Sequence, residues 1–255
     1  MMPNYSDSAI SPFFNDNNHF LLNDSDNIAR LNKHLNKMTE TKLPKIKPLG
    51  RPKSKQKRYD IISAATELFL SKGFSQTSME LVAKHAEVSE QTLYSHFKNK
   101  AELYREIIEE KCHQYRLEVS HLDPKKISLK QYLQSFGLMF MNLMHDENVV
   151  KMYRLLIGNE AENREISKIF YDSGPSRVRF FLAQGLEQYP EVKTNAFSSL
   201  YLASSYLSML LSDFHLRSLL GLAYQLSDKE KLAKIDLCAN GILSMIGKAS
   251  LVGSG

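Results

Sequence analysis

Ser89-Glu90-Gln91-Thr92-Leu93-Tyr94-Ser95-His96-Phe97-Lys98-Asn99-Lys100 contains a helix start, a short helix and a helix stop. Ser89 is an N-cap residue, because a serine hydroxyl accepts from the amides that the first helical turn leaves unpaired. Leu93 and Phe97, four apart, share one face and point inward. Lys98-Asn99 breaks the helix and Lys100 opens a longer one over residues 100–119. Upstream, Thr77-Ser78-Met79-Glu80 has the form of a capping box, with Thr77 or Ser78 as the cap. Met79, Val82, Ala83 and Ala86 then make a short apolar stripe. Further back, Ile61, Ala65, Leu68 and Phe69 recur at i, i+4, i+7 and i+8, and Gly73 closes that helix as a left-handed C-cap. Two short helices joined by a tight turn, with a supporting helix before them, form a helix-turn-helix unit.

Residues 57–107 resemble the DNA-binding domain of the TetR/AcrR family of bacterial transcriptional regulators. The matching positions include Ile62, Ala65, Leu68, Phe69, Gly73, Phe74, Thr77, Val82, Ala83, Val88 and the run Thr92–Lys100. The resemblance implies an all-α protein: an N-terminal three-helix helix-turn-helix domain, then a larger helical ligand-binding and dimerisation domain. It implies double-stranded operator DNA, a second copy of the chain and a small-molecule inducer as partners, and neither cofactor nor catalysis.

The third helix is the one expected to enter the major groove, its first residues nearest the base edges. There Gln91 can pair with adenine, Thr92 can touch a thymine methyl, and Glu90 can accept from cytosine or repel phosphate at wrong sites. Tyr94 and His96 lie where the family contacts phosphate; Tyr94 is equally a packing residue. Lys100 places a cation at a helix N-terminus, and Thr77 or Ser78 with the amides of the second helix offers another phosphate clamp. One position departs from the family, which commonly carries glycine where this chain has Glu87. A left-handed backbone there costs a non-glycine residue roughly 1–2 kcal/mol, so the turn either tolerates strain or takes another shape.

Residues 42–58 hold eight lysines and arginines and no acid, although the whole 255-residue chain carries a net charge of only +5. Charge this localised suits a polyanion. Pro44, Pro48 and Pro52 exclude a continuous helix, so residues 42–56 are expected to form an extended basic arm. Within it Gly50-Arg51-Pro52-Lys53 resembles a minor-groove hook, with Arg51 and Lys53 as DNA contacts; a solvated basic linker is the alternative. Residues 1–41, rich in Asn, Asp and Ser, are expected to be a disordered extension, and Met38 is an alternative translation start.

The reading head is taken as residues 57–105 and the regulatory domain as residues 106–250. The latter continues as helices, with Ser128 and either Ser227 or Asp228 as caps and Pro175 opening a helix. Tyr171-Asp172-Ser173-Gly174-Pro175-Ser176-Arg177-Val178 resembles the AefR-like subgroup. Phe136, Met139, Phe140, Met144, Met152, Tyr153, Phe170 and Phe181 are candidate ligand-pocket walls, since Met and aromatic side chains adapt to apolar ligands; they also fit an ordinary core. As the family implies, the last two long helices, over 193–211 and 228–246, are the dimer interface. Tyr201, Ser204, Ser205, Ser208, Leu211 and Phe214 on the first, and Leu237, Asn240, Gly241, Ser244 and Met245 on the second, are its candidates.

Other classes find little support. Two cysteines, Cys112 and Cys238, make neither a disulfide framework nor a zinc site. There is no metal-spaced His/Cys cluster, no glycine-rich phosphate loop and no nucleophile–base pair. No stretch reads as a secretion signal or membrane span, so a cytoplasmic location with no membrane partner is expected. A nonspecific, nucleoid-type DNA binder acting through the arm, or an activator, is the alternative to a ligand-released dimeric repressor.

Overall fold

The computed structural model describes residues 53–117, 122, 124, 126–158 and 164–252. All regular elements among these residues are helices: α1 (Lys53–Lys72), α2 (Met79–His85), α3 (Glu90–His96), α4 (Lys100–Gln114), α5 (Leu129–Met144), α6 (Glu147–Gly158), α7 (Arg164–Ser173), α8 (Pro175–Leu186), α9 (Pro190–Lys193), α10 (Ser199–Leu219) and α11 (Asp228–Val252). The expectation of an all-α chain with an N-terminal helix-turn-helix holds. The basic arm is shorter than expected: Pro52 bars helix only up to itself, and residues 53–56 already belong to α1. Arg51 and residues 1–41 lie outside the described residues.

Polar caps set most helix starts. Ser78, Ser89, Asn99, Ser128 and Ser198 each accept a backbone N–H two or three residues into the helix. Ser128 with Gln131 closes a full capping box, and Ser227 does the same with Glu230 before α11. The ends are equally defined. Gly73 has φ +82° and its N–H donates to the Phe69 carbonyl at 3.0 Å. After α2, Val88 N–H bonds the Ala83 carbonyl and Glu87 N–H the Lys84 carbonyl, the paired bonds of a Schellman motif. Glu87 sits at its left-handed position with φ 53°. The turn therefore keeps the glycine geometry and places a glutamate in it. Arg116 repeats the arrangement after α4, also with φ 53°.

The buried side chains form two cores. One gathers Ile61, Ala65, Leu68 and Phe69 of α1, Val82 of α2, Leu93 of α3 and Leu103, Ile107 and Ile108 of α4. It also takes in Met152, Ile166 and Phe170 from α6 and α7. The other is built on Tyr132, Leu133, Phe136 and Met141 of α5 with Leu182, Tyr206, Leu210 and Ile242. The expected domain boundary at residues 105–106 falls inside α4, which runs unbroken from the first core to the second.

Two stretches depart from the periodic reading. The helix expected over 193–211 begins only at Ser199, and the separate turn α9 precedes it. It also continues past a sharp break at Ser212 (φ 32°, ψ −143°) to Leu219. Ser212 Oγ accepts from Lys234 Nζ at 2.7 Å, which ties the break to α11.

Candidate nucleic-acid interface and ligand cavity

α3 has seven residues and one anchored face. Leu93 is fully buried and Phe97, just past the helix, is 1% exposed. Burying each contributes about 1.5–3 kcal/mol, which holds so short a helix in place. The opposite face is open: Glu90, Gln91 and Ser95 are exposed, and Tyr94 is 46% exposed. Thr92 and His96 are half-buried. The Thr92 hydroxyl lies 2.8 Å from Ser89 Oγ, so cap and side chain hold each other. Ser78 is exposed at the start of α2 and its Oγ accepts from the Leu81 N–H at 3.1 Å.

Two of the expected phosphate contacts are placed differently. Thr77 is not the cap of α2; Ser78 is. Thr77 is wholly buried and its hydroxyl donates to the Gly73 carbonyl at 2.8 Å, which removes it from any polyanion. Lys100 turns inward as well. Its ammonium donates to the carbonyls of Phe74 and Thr77 at 2.7 Å each and lies 4.3 Å from the Phe74 ring centroid. Burial lowers its pKa from the ordinary lysine value. Two of its three donors thus brace the turn before α2. Arg58 plays a similar part across the domain, pairing with Glu106 and covering the Phe97 ring. Lys53 is the first residue of α1.

A second site lies beneath α4. A small apolar cavity of about 40 Å³ has Phe140, Met144, Met152, Tyr153 and Phe170 in its walls. Five of the eight candidate pocket residues therefore meet there. The other three do not. Phe136 is in the core beside Tyr132. Met139 packs against that core. Phe181 lies under the Arg177 guanidinium, which itself pairs with Glu109 of α4 at 2.8 Å. At the rim, Lys111 Nζ and Tyr115 Oη both donate to Asp146 Oδ2 at 2.9 Å. Burial pushes the Asp146 carboxyl up, but Lys111, Tyr115 and the Val149 amide outweigh it and hold its pKa below the ordinary value.

The outer faces of α10 and α11 carry unpaired apolar surface. Leu237 is 73% and Tyr201 53% exposed, with Leu200 and Phe197 beside Tyr201 also open. Ser208, Asn240 and Ser244 are exposed small or polar neighbours, while Ser204, Ser205 and Gly241 are half-buried. Leu211 and Met245 lean on the core, and Phe214 is inside it, stacked on His145, so Phe214 leaves the interface set.

Comparison with known proteins bears on the whole arrangement. Residues 61–107 match the model of the tetR family of bacterial regulatory proteins, and residues 131–244 match the C-terminal domain of AefR-like transcriptional repressors. The two matches together span more than half of the chain. The chain belongs to the TetR family. Its family consists of transcriptional regulators rather than enzymes. The biofilm operon icaADBC negative transcriptional regulator IcaR of Staphylococcus epidermidis is 33% identical over 111 residues, 42% of this chain and 57% of that protein. The curated relatives it matches are covered over only a quarter to somewhat over half of their length. A TetR-family transcriptional regulator from Mesorhizobium loti superposes with a TM-score of 0.62 at 27% identity, covering 76% of this chain and 98% of that one. The flavonoid-responsive regulator FrrA does so at 0.61 and 27%, covering 74% and 96%.

Reading the TetR-family sequence alone missed the contribution of α4 to the cavity: Ile108, Lys111 and Cys112. The signal was present, since 108, 111 and 112 share one helical face. That stripe continues the one that packs the reading head, which conceals its second use. Among the described residues no helix is long and apolar enough to cross a membrane.

Proposed function

We propose that this chain is a dimeric, sequence-specific DNA-binding repressor that a small apolar ligand releases from its operator. The observation that carries the reading is the disposition of α3: pinned by buried Leu93, capped by Ser89, and turning Glu90, Gln91 and Tyr94 outward. In this reading Gln91, Thr92 and Glu90 meet base edges, and Ser78, Tyr94 and His96 meet phosphates. Arg51 and the basic residues before it follow the adjacent minor groove. A head with seven basic and six acidic side chains over residues 57–105 needs such an arm, because phosphate neutralisation supplies much of the affinity.

The exposed faces of α10 and α11 favour a homodimer. Leu237 and Tyr201 are costly to leave in water, and Ser204, Ser208, Gly241 and Ser244 permit close helix approach. A two-fold dimer then reads two half-sites about 34–36 Å apart or a multiple of that. Repression is favoured by the description of the AefR-like match and by the name of IcaR. Ligand release is favoured by the cavity under α4 and by the name of FrrA. A ligand that binds better when the two heads are wrongly spaced shifts the population off DNA. Such a protein works in the cytoplasm.

The test is genome-wide mapping of binding sites in the native host, followed by gel shifts of the full chain on a mapped site and on random DNA. Gln91→Ala is expected to relax preference at one base position, and Tyr94→Phe to weaken all sites about equally. Equal affinity for mapped and random DNA at physiological salt would overturn the reading in favour of a nonspecific binder.

A further inference from the structure

A separate cavity of about 130 Å³ lies in the seam where the reading head meets α6 and α7. Phe69 of α1, Phe74 of the turn after it and Tyr104 of α4 form one wall. Their rings are fixed against one another. Phe69 and Phe74 stack with centroids 5.4 Å apart, and Tyr104 meets each of them edge-on at 5.5 Å. Met152, Leu155 and Leu156 of α6 and Ile166 of α7 form the facing wall, and both leucines are only half-buried. Lys72, Ser75 and Gln76, all exposed, stand on the open side. A space of this size suits one aromatic ring, since an apolar cavity of roughly 150 Å³ takes up benzene. Aromatic walls favour a further ring at edge or face, and the Met152 thioether adds a soft contact. Tyr104 supplies the polar feature. It is 4% exposed, yet no described residue hydrogen-bonds its hydroxyl. Burial raises its pKa above the ordinary tyrosine value, so the hydroxyl stays protonated and can both donate and accept.

We propose that this seam cavity is a ligand site of its own, for a molecule of one aromatic ring bearing a hydroxyl group. The ring seats between the Phe69–Phe74 wall and Met152, and its hydroxyl pairs with Tyr104 Oη. A partner for that oxygen removes the cost of a buried polar group left unpaired. The proposal does not rest on the effector cavity under α4: among the described lining residues the two spaces share only Met152. A ring bound in the seam touches head and regulator at once. It adds apolar contact between them and takes Leu155 and Leu156 further out of water.

Phenol and toluene, two single rings of nearly equal size, test it in titrations of the full chain followed by NMR. Both are expected to shift the methyl groups of Leu155, Leu156 and Ile166 saturably. Tyr104→Phe keeps the packed ring and removes the hydroxyl. It is expected to weaken phenol about tenfold, the cost of leaving a buried polar group unpaired, and to change toluene less than about twofold. Leu156→Phe, which fills the cavity, should weaken both probes. In the parent protein the Cζ carbon of Tyr104 should move further with phenol than with toluene, which decides the hydroxyl's part even were Tyr104→Phe not to fold. Undiminished phenol binding by Tyr104→Phe, or an equal response of that carbon to the two probes, overturns the hydroxyl pairing. Shifts confined to Leu143, Met144 and Val178 put the ring in the cavity under α4 and overturn the seam site, as does failure of both probes to bind.

Discussion

The ammonium of Lys100 lies 2.7 Å from the carbonyl oxygen of Thr77, a residue 23 positions earlier whose own hydroxyl is turned back onto Gly73. This contact joins the first turn of α4 to the turn that delivers α2. A lysine at that place in the motif acts as an internal brace, with its charge used on backbone carbonyls. Replacing it therefore disturbs the positioning of the head more than the count of phosphate contacts.

Lys100→Met is expected to destabilise the chain by about 1–3 kcal/mol, the usual loss when a hydrogen-bonded charge is removed. Operator affinity should fall with it. The slope of log affinity against log salt should stay the same, whereas loss of a true phosphate contact lowers it by about 0.9. Salt titrations of the two proteins distinguish these outcomes.

Glu87 holds a left-handed backbone at the Schellman position after α2, with φ 53°. Glycine adopts that geometry without the side-chain clash, so Glu87→Gly is expected to stabilise the chain by about 1 kcal/mol. Urea unfolding would register this as a higher midpoint at constant m-value. A lower midpoint would mean that the glutamate side chain does something the backbone geometry does not reveal.

Gly185, the next-to-last residue of α8, is covered by the hydroxyl of Tyr132, and a Cβ there would collide with that oxygen. Gly185→Ala should cost about 1–3 kcal/mol by overpacking. The same hydroxyl is buried with no hydrogen-bond partner among the described residues. Tyr132→Phe should thus be neutral or stabilising, because it removes a desolvated oxygen and keeps the ring. Thermal melts of the two single variants check both signs.

His145 and His215 both have pKa values lowered from 6.5 by burial. The unfolded chain then takes up protons before the folded one does. Stability should be level above about pH 7.5, fall as pH drops through the unfolded value, and stop falling only below the folded-state values. Across the span of histidine titration, from about pH 8 to about pH 5, His145→Gln should show a shallower fall than the parent protein.

These expectations separate what sequence conveys from what it conceals. The caps at Ser89 and Ser128 and the end at Gly73 are local, set by a side chain and backbone within a few residues, and they read directly. The choice between Thr77 and Ser78 does not, because it turns on whether Thr77 is buried, which is decided by α1 and α4. Lys100 is concealed for the same reason: its partners, Phe74 and Thr77, are remote in sequence. The break at Ser212 is concealed too, since the stripe around it stays helical while Lys234 of α11 holds the strained serine. The candidate base-reading residues stand out by position in the motif, whereas the cavity needs five helices brought together before its walls can be sorted from the core.

α4 contributes Leu103 and Ile107 to one core and Cys112 to the other without a break in its hydrogen bonding. Neither core is complete if that helix melts. The two domains should accordingly lose structure in a single cooperative transition, with one calorimetric peak in place of two. A fragment cut after Arg105 would lack Ile107 and Ile108 and should fail to fold by itself, so a protease that opens either part should clear both.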